Sequence, residues 1–134
     1  MDKNSIPKKP YVLVIEDEEI TKIIIQKTLQ DLGYNSVVFN SGKEAMKFLK
    51  SLDDDDLPWV ILSDIMMDEG DGVDVLSYIR GQSSFEYTPF VFLSGANQDL
   101  FLNLVEPDSF QGFLQKPVDK NKIRDLFNSL SDEG

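Results

Sequence analysis

Four short, largely apolar runs, each followed by a polar or charged side chain, constrain the fold of this chain more than any other feature. Residues 12–15 lead to Glu16-Asp17, residues 59–63 to Asp64, residues 90–93 to Ser94, and residues 112–115 to Lys116-Pro117. Apolar runs of this length are typical of strands buried on both faces of a parallel sheet. The carboxyl ends of such strands share one edge, where open α/β folds place their sites. We therefore expect three carboxylates, a hydroxyl and an ammonium group in one pocket.

The segments between these runs carry the apolar spacing of amphipathic helices, and a short strand at residues 35–39 adds a fifth strand. In the first helix the apolar steps are Ile20/Ile24 and Ile25/Leu29. Helices are predicted at residues 18–32, after a capping box at Ser41 and Glu44, at residues 73–80, near residues 97–105, and after a cap at Asp119. This alternation predicts an α/β fold, a doubly wound sheet of five parallel strands with five helices.

The length of 134 residues fits one domain with a sizeable core. We expect the domain at residues 10–130, a flexible segment at residues 1–9 and a tail at residues 131–134. No apolar stretch approaches the roughly 20 residues that a membrane-spanning helix needs, and the first ten residues lack the apolar part of a secretory signal. Cysteine is absent, which excludes disulfides and fits a reducing compartment, so a cytoplasmic location is expected.

Charge and the absence of histidine exclude several kinds of function. The formal net charge of −11 repels nucleic acid backbones and anionic membranes, so direct binding to either is not expected. Without histidine the chain cannot form a Ser-His-Asp triad or carry a phosphohistidine. Any phosphoryl donor that uses histidine must therefore be another molecule.

The acidic residues after the first and third predicted strands indicate a cation site. Glu16, Asp17 and Asp64 would repel one another when crowded at one edge, and a bound cation relieves that repulsion. Hard oxygen ligands favour Mg²⁺, which often binds through one or two carboxylates together with phosphate oxygens. The alternative is that acids after strands simply cap the next helix, which is the interpretation favoured for Glu18 and Glu19.

Lys116 adds a positive charge to this set. A lysine ammonium can pair with a phosphoryl oxygen, or with Asp64 when no phosphoryl group is present. The residue before a proline is restricted to extended geometry, which would hold Lys116 at the end of its strand. Serine is common in turns after strands, so Ser94 alone does not indicate a site. It does so only in combination with the other residues.

Together these residues resemble the receiver domain of two-component response regulators, over residues 10–130. Glu16-Asp17 match the acidic pair of the family and Asp64 matches its phosphoacceptor aspartate. Downstream of these, Asp71-Gly72 match the family's Asp-Gly, Ser94 its hydroxyl switch residue, Phe113 its aromatic switch residue, and Lys116-Pro117 its Lys-Pro pair. The resemblance implies a flavodoxin-like sheet with strand order 2-1-3-4-5.

The resemblance also implies a phosphorylation switch rather than an enzyme with a separate substrate. Asp64 would accept a phosphoryl group from a histidine kinase or a phosphotransfer protein, with Lys116 and Ser94 on other phosphoryl oxygens. Mg²⁺ or Mn²⁺ would be held by Asp17, Asp64 and the backbone carbonyl of Met66.

In the same family pattern, Glu16 would act on the ion mostly through water. Inward movement of Ser94 would make room for Phe113 to turn in. That change would reshape the face formed by the fourth predicted helix, the fifth strand and the fifth predicted helix, where a protein output partner would dock.

Several alternatives remain at this point. Met67 is followed by Asp68-Glu69 instead of the family's usual proline, and an extra acid there could tighten metal binding or slow an anionic donor. The chain could be an interaction module that is never phosphorylated, or a receiver cut from a larger hybrid protein. A metal-dependent phosphatase is disfavoured because Met66 occupies the position of its second acid. The acidic run at residues 53–56 is interpreted as a solvated loop, with a cation or partner site as the alternative.

Overall fold

The computed structural model describes residues 6–7, 10–65, 72–95 and 106–133, and their core is a five-stranded parallel sheet. The strands are β1 (Tyr11–Ile15), β2 (Asn35–Phe39), β3 (Val60–Asp64), β4 (Phe90–Ser94) and β5 (Gly112–Gln115). Their order in the sheet is β2-β1-β3-β4-β5, and every pairing is parallel. The predicted parallel α/β sheet and its strand order are confirmed.

The described part of the chain contains four α-helices and three short 3₁₀ turns. The helices are α1 (Glu19–Asp31), α2 (Gly42–Lys50), α3 (Gly72–Arg80) and α4 (Lys120–Glu133), and the turns are Asp54–Asp56, Ser83–Phe85 and Pro107–Ser109. The helix predicted near residues 97–105 lies outside the described residues. None of the four described helices is long and apolar enough to cross a bilayer.

The last helix continues into the segment predicted as a C-terminal tail. We expected residues 131–134 to follow the domain as a tail, but α4 continues to Glu133. The physical reason is that Ser131, Asp132 and Glu133 include no helix breaker, and Gly134 is the first residue with a low helix propensity.

Alternation along the central strands divides the core into two layers. Tyr11, Leu13 and Ile15 of β1 pack with α2 and α3, whereas Val12 and Val14 pack with α1 and α4. Every residue of β1, β3 and β4 is buried, as expected for parallel strands covered by helices on both faces. Because the helices cover both faces of the sheet, side chains at the carboxyl edge of the strands are left to form a site.

Helix α1 exposes part of its apolar pattern. Ile25 and Leu29 are fully buried, but Ile20, Ile23 and Ile24 are 69%, 55% and 42% exposed. A helix with 3.6 residues per turn can bury only one stripe against the sheet, and these three isoleucines lie on the opposite side. The spacing of Ile20 and Ile24 therefore predicted the helix but not the face that is buried.

Candidate functional site

The carboxyl ends of β1 and β3 bring three acidic residues together. Ile15 is in register with Ser63, so Glu16 and Asp17 emerge from β1 beside Asp64 at the end of β3. Carboxylate oxygens of the three residues lie within 4.8 Å of one another. Glu16 and Asp64 are buried, whereas Asp17 is exposed. The acidic cluster predicted from the sequence is therefore present as a spatial group.

Lys116 lies within reach of both buried carboxylates. Its ammonium nitrogen Nζ donates to Glu16 Oε1 at 3.1 Å and to Asp64 Oδ2 at 3.3 Å. The backbone N–H of Lys116 donates to the carbonyl oxygen of Ser94 at 2.7 Å, which holds the start of the β5 exit loop against the end of β4. The pairing with Asp64 agrees with the sequence analysis, but the equally close contact with Glu16 was not anticipated.

The buried charges do not balance. Glu16 and Asp64 share one ammonium, and Glu16 Oε2 lies 3.0 Å from Lys116 Nζ without forming a hydrogen bond in good geometry. Burial raises the pKa of both carboxyls, and the hydrogen bonds and charge of Lys116 only partly oppose this. Burial alone would lower the pKa of Lys116, but its interactions with Glu16 and Asp64 outweigh burial and raise it. A site with this excess of negative charge and hard oxygen donors fits a divalent cation.

Backbone groups orient the two buried carboxylates. The N–H of Ile65 donates to Asp64 Oδ1 at 2.8 Å, and the N–H of Glu18 donates to Glu16 Oε1 at 3.1 Å. The hydroxyl of the buried Ser63 donates to the carbonyl oxygen of Asp64 at 2.9 Å. With one oxygen of Asp64 held by Ile65, the other is directed toward Lys116.

Gly72, at the start of α3, allows the helix to approach the end of β3 closely. Its N–H donates to the carbonyl oxygen of Ile65 at 2.9 Å. A Cβ atom at position 72 would lie 2.2 Å from the carbonyl oxygen of Asp64 and 2.8 Å from Ser63 Oγ, which is closer than atoms can approach. The sequence identified Gly72 only through the family resemblance, whereas the structure supplies its physical role.

Ser94 and Phe113 occupy neighbouring strands. Ser94 ends β4 and is 1% exposed, one position beyond Leu93, which is in register with Asp64. Phe113 of β5 is 49% exposed, so its ring is at the surface in this structure. Met66, a proposed carbonyl ligand, lies outside the described residues together with the predicted helix near residues 97–105.

The imbalance of charge predicts how stability depends on pH. In metal-free buffer, the free energy of unfolding should fall as the pH rises through the raised pKa values of Glu16 and Asp64, whose ordinary values are 4.5 and 3.8. The reason is that, between the ordinary and the raised pKa values, the folded state holds more protons than the unfolded state. The stabilisation present below the ordinary pKa values is therefore lost as the pH rises through the raised ones.

The measurement is urea unfolding over a pH series, with Asp64→Asn as the comparison. The variant leaves Glu16 and Lys116 as a balanced pair and should be about 1 kcal/mol more stable than the wild type at pH 7. The two proteins should converge once the pH falls below the ordinary pKa of aspartate. A wild type that is the more stable protein at pH 7 without metal would contradict this interpretation.

Comparisons with known proteins agree with the geometry. The family model of the response regulator receiver domain matches residues 12–128. The autoinducer 1 sensor kinase/phosphatase LuxN of Vibrio campbellii is 30% identical over 122 residues, which is 91% of this chain and 14% of that protein. The two-component response regulator ORR3 of Oryza sativa subsp. indica is 27% identical over 131 residues, which is 97% of this chain and 98% of that protein. The chain thus spans about one seventh of the first relative and nearly all of the second.

Solved structures show the same fold. The chemotaxis response regulator CheY4 of Vibrio cholerae has a TM-score of 0.78 at 22% identity, covering 92% of this chain and 99% of that chain. The signal receiver domain of a signal transduction histidine kinase from Syntrophus aciditrophicus has a TM-score of 0.77 at 23% identity, covering 92% and 91%. With a family model that matches most of its length and an acidic cluster at the expected sheet edge, the chain belongs to the response regulator receiver domain family.

Proposed function

We propose that Asp64 is the residue on which this receiver domain accepts a phosphoryl group, and that the modification switches a protein-docking face. The observation that carries the proposal is the position of the Lys116 ammonium, which contacts Asp64 Oδ2 and Glu16 Oε1 at the mouth of the acidic cluster. Because the lysine side chain is flexible, the Lys116 ammonium can shift from a carboxylate oxygen to a phosphoryl oxygen over a short distance.

Transfer would proceed by attack of one Asp64 carboxylate oxygen on the phosphorus atom of the donor. A P–O bond forms while the bond to the donor breaks, and the leaving atom, a histidine nitrogen in the proposed donors, keeps the electron pair. Lys116 and the hydroxyl of Ser94 then donate to phosphoryl oxygens, so that the chain contributes position and charge stabilisation. A bound divalent cation would neutralise charge on the transferring oxygens.

The proposed metal ligands are Asp17, Asp64 and the carbonyl of Met66, with Glu16 acting through water. Mg²⁺ is the proposed ion and Mn²⁺ an acceptable substitute, because both favour oxygen ligands. The contacts support unequal roles for the acidic pair. Glu16 is buried and already accepts hydrogen bonds from Lys116 and Glu18, whereas Asp17 is exposed beside it.

Metal binding should therefore depend more on Asp17 than on Glu16. At roughly 100 times its dissociation constant, Mg²⁺ should stabilise the wild type by about 2.7 kcal/mol. Asp17→Asn should lose most of this gain and Glu16→Gln a smaller part, as measured by the midpoint of thermal unfolding during a Mg²⁺ titration. Equal losses in the two variants would contradict the proposed division of roles. Thermal unfolding is preferable to fluorescence here, since the only tryptophan, Trp59, precedes β3 at the end opposite to Asp64.

The function itself is tested by incubating the protein with a small phosphodonor such as acetyl phosphate and Mg²⁺, then measuring intact mass. A receiver gains one phosphoryl group, and EDTA prevents the gain. An interaction module that is never phosphorylated shows no gain under either condition. A phosphatase releases phosphate through many turnovers without a lasting adduct, so either of these results would overturn the proposal.

We propose that the donor protein docks on the exposed isoleucines of α1. A donor histidine has to reach Asp64, so the donor must cover the surface next to the acidic cluster, and α1 begins two residues after Asp17. Ile20 and Ile23 are more than half exposed there, and such a patch is typical of an interaction surface.

The test is Ile23→Ala, with phosphotransfer measured from a histidine kinase that phosphorylates the wild type. Loss of a central apolar contact should slow this transfer about tenfold, which corresponds to about 1.4 kcal/mol. The rate with acetyl phosphate should stay unchanged, because a small donor needs no docking surface. Equal effects on both donors would place the defect in the site rather than in docking.

The output partner is proposed to dock on the face that β5 and α4 form with the helix predicted near residues 97–105. The surface position of Phe113 on β5 supports the proposal that its ring turns inward only after phosphorylation. A cytoplasmic location is part of the same proposal, since the phosphoryl donor and Mg²⁺ are both available there.

A further inference from the structure

A groove of about 590 Å³ lies at the amino edge of the sheet, opposite to the acidic cluster. Its walls include Pro58 and Trp59, which precede β3, and Tyr87 and Pro89, which precede β4. Strand β3 separates Trp59 from Asp64 by five residues, or about 16 Å. Occupation of this amino-edge groove would therefore leave the phosphorylation site accessible.

The groove contains one aromatic residue packed against other rings, Trp59, and one that is largely exposed, Tyr87. Trp59 is half-buried, stacked on Tyr34 at 5.4 Å and in edge contact with Phe127 at 5.0 Å. Tyr87 is 88% exposed, the highest value among the large hydrophobic residues of the described chain. Aromatic-lined grooves accept extended, proline-containing peptides, and aromatic faces attract cationic side chains.

Two acidic residues lie next to residues that line this groove. The hydroxyl of Ser84, which lines it, donates to Asp54 Oδ1 at 2.8 Å, and the exposed Glu86 is next to Tyr87 in the chain. Leu130, also in the lining, belongs to the last turn of α4, where the helix dipole is negative.

Positive charge is almost absent from the same part of the chain. Arg80 is the only basic residue between residues 51 and 115. Its guanidinium donates to the carbonyl oxygens of Ser109 and Phe85, at 2.6 and 3.0 Å, and to Gln111 Oε1 at 3.1 Å. These bonds hold Arg80 in place, and its single positive charge offsets only part of the negative charge of Glu86 and the acidic run at residues 53–56.

The acidic run at residues 53–56, interpreted from the sequence as a solvated loop, is exposed at Asp53, Asp54 and Asp55 but has a defined backbone. It forms a 3₁₀ turn, closed by a hydrogen bond from the N–H of Asp56 to the carbonyl oxygen of Asp53 at 2.9 Å. The hydroxyl of the buried Tyr11 donates to the carbonyl oxygen of Asp56 at 2.6 Å, which ties the turn to the core. Asp54 is therefore a fixed charge beside the groove.

We propose that the amino-edge groove binds an extended peptide segment of a partner protein that carries lysine or arginine. The peptide backbone lies over Trp59 and the two prolines, and a cationic side chain sits between the Tyr87 ring and Asp54. Charge complementarity favours this occupant, because Asp54 and Glu86 lie next to residues that line the groove and Arg80 is the only basic residue within residues 51–115. Such a contact would hold a partner at the edge opposite to the one where phosphoryl transfer takes place.

The test uses two nine-residue peptides, one of alternating arginine and proline and one of alternating glutamate and proline. Because Trp59 is the only tryptophan and lines the groove, its fluorescence reports binding directly. We expect a saturable change with the arginine peptide, weakening as salt is added, and none with the glutamate peptide. Binding of both peptides, or of neither, would overturn the proposal.

Two variants locate the binding. Tyr87→Ala should weaken binding of the arginine peptide at least tenfold, and because the Tyr87 side chain is 88% exposed its removal leaves the core intact. Asp54→Asn should weaken binding about threefold and reduce its salt dependence. Asp125→Asn, which removes a charge from an exposed side chain of α4 that does not line the groove, is the matched control for Asp54→Asn and should bind as the wild type does.

Self-association is the competing explanation. If sedimentation shows that the protein forms dimers, and Tyr87→Ala abolishes them without changing affinity for the arginine peptide, the groove is an interface between copies and the proposal is wrong. Unchanged peptide affinity in both Tyr87→Ala and Asp54→Asn would overturn it as well.

Discussion

Asp64→Asn is expected to abolish the phosphoryl mass gain that acetyl phosphate and Mg²⁺ produce in the wild type. The amide that replaces the carboxylate is a poor nucleophile and has no charge to pair with Lys116. Asp64 is buried, contacts Lys116 and has two other carboxylates within 4.8 Å. Among the described acidic residues, only Glu16 of the same cluster shares these features. Phosphorylation should therefore move to no other position.

The control is Asp125→Asn, because the Asp125 side chain is 74% exposed on α4 and its carboxylate lies 3.6 Å from Nε of the adjacent, half-exposed Arg124. This variant should gain mass at the wild-type rate. Intact mass followed by peptide mapping checks both proteins. A phosphoryl group that persists in Asp64→Asn, on Glu16 or elsewhere, would show that the acceptor has been assigned to the wrong residue.

Gly72→Ala is expected to lower the free energy of unfolding by about 1–3 kcal/mol, the usual cost of forcing an extra methyl group into a packed site. The added Cβ would lie 2.2 Å from the carbonyl oxygen of Asp64, so α3 or the end of β3 has to move. Because that carbonyl belongs to the proposed phosphoacceptor, phosphorylation should slow together with the loss of stability.

Gly81→Ala provides a matched control at the other end of α3. A Cβ there would meet the carbonyl oxygen of Tyr78 at 3.4 Å, an ordinary contact, and the change should alter stability far less. Urea unfolding of both variants separates a specific clash from a general effect of replacing glycine. Similar losses in the two variants would show that the close approach at Gly72 is not the cause.

Several parts of the site could be predicted because they depend on local sequence. A strand end is recognisable where a buried run meets a polar residue, and Glu16, Asp64, Ser94 and Lys116 do lie at the carboxyl ends of strands. The parallel sheet then follows from the alternation of strands and helices, since only one edge can collect all the carboxyl ends. The end of α4 was less predictable, because residues 131–133 contain neither glycine nor proline to mark it.

Other features depend on contacts between residues far apart in the chain. Lys116 reaches Glu16 across 100 residues and Asp64 across 52, and no local pattern specifies which carboxylate it will pair with. The exposed face of α1 could not be predicted either, because both sides of the helix carry isoleucine. Only packing against the sheet determines that Ile25 is buried.

The sequence by itself determined the α/β class of the fold, the edge of the sheet expected to carry the site and the residue types at that edge, whereas the strand order came from the family resemblance. The first three features follow from hydrophobic periodicity and from the polar residues that end each apolar run, both of which are signals over a few residues. Only the tertiary structure decided that Glu16 is buried against Lys116, that position 72 has no room for a side chain, and that Trp59 and Tyr87 form a groove beside a fixed acidic turn. The physical reason is that burial, close approach and net local charge are set by which distant segments pack together, and packing is a property of the folded chain.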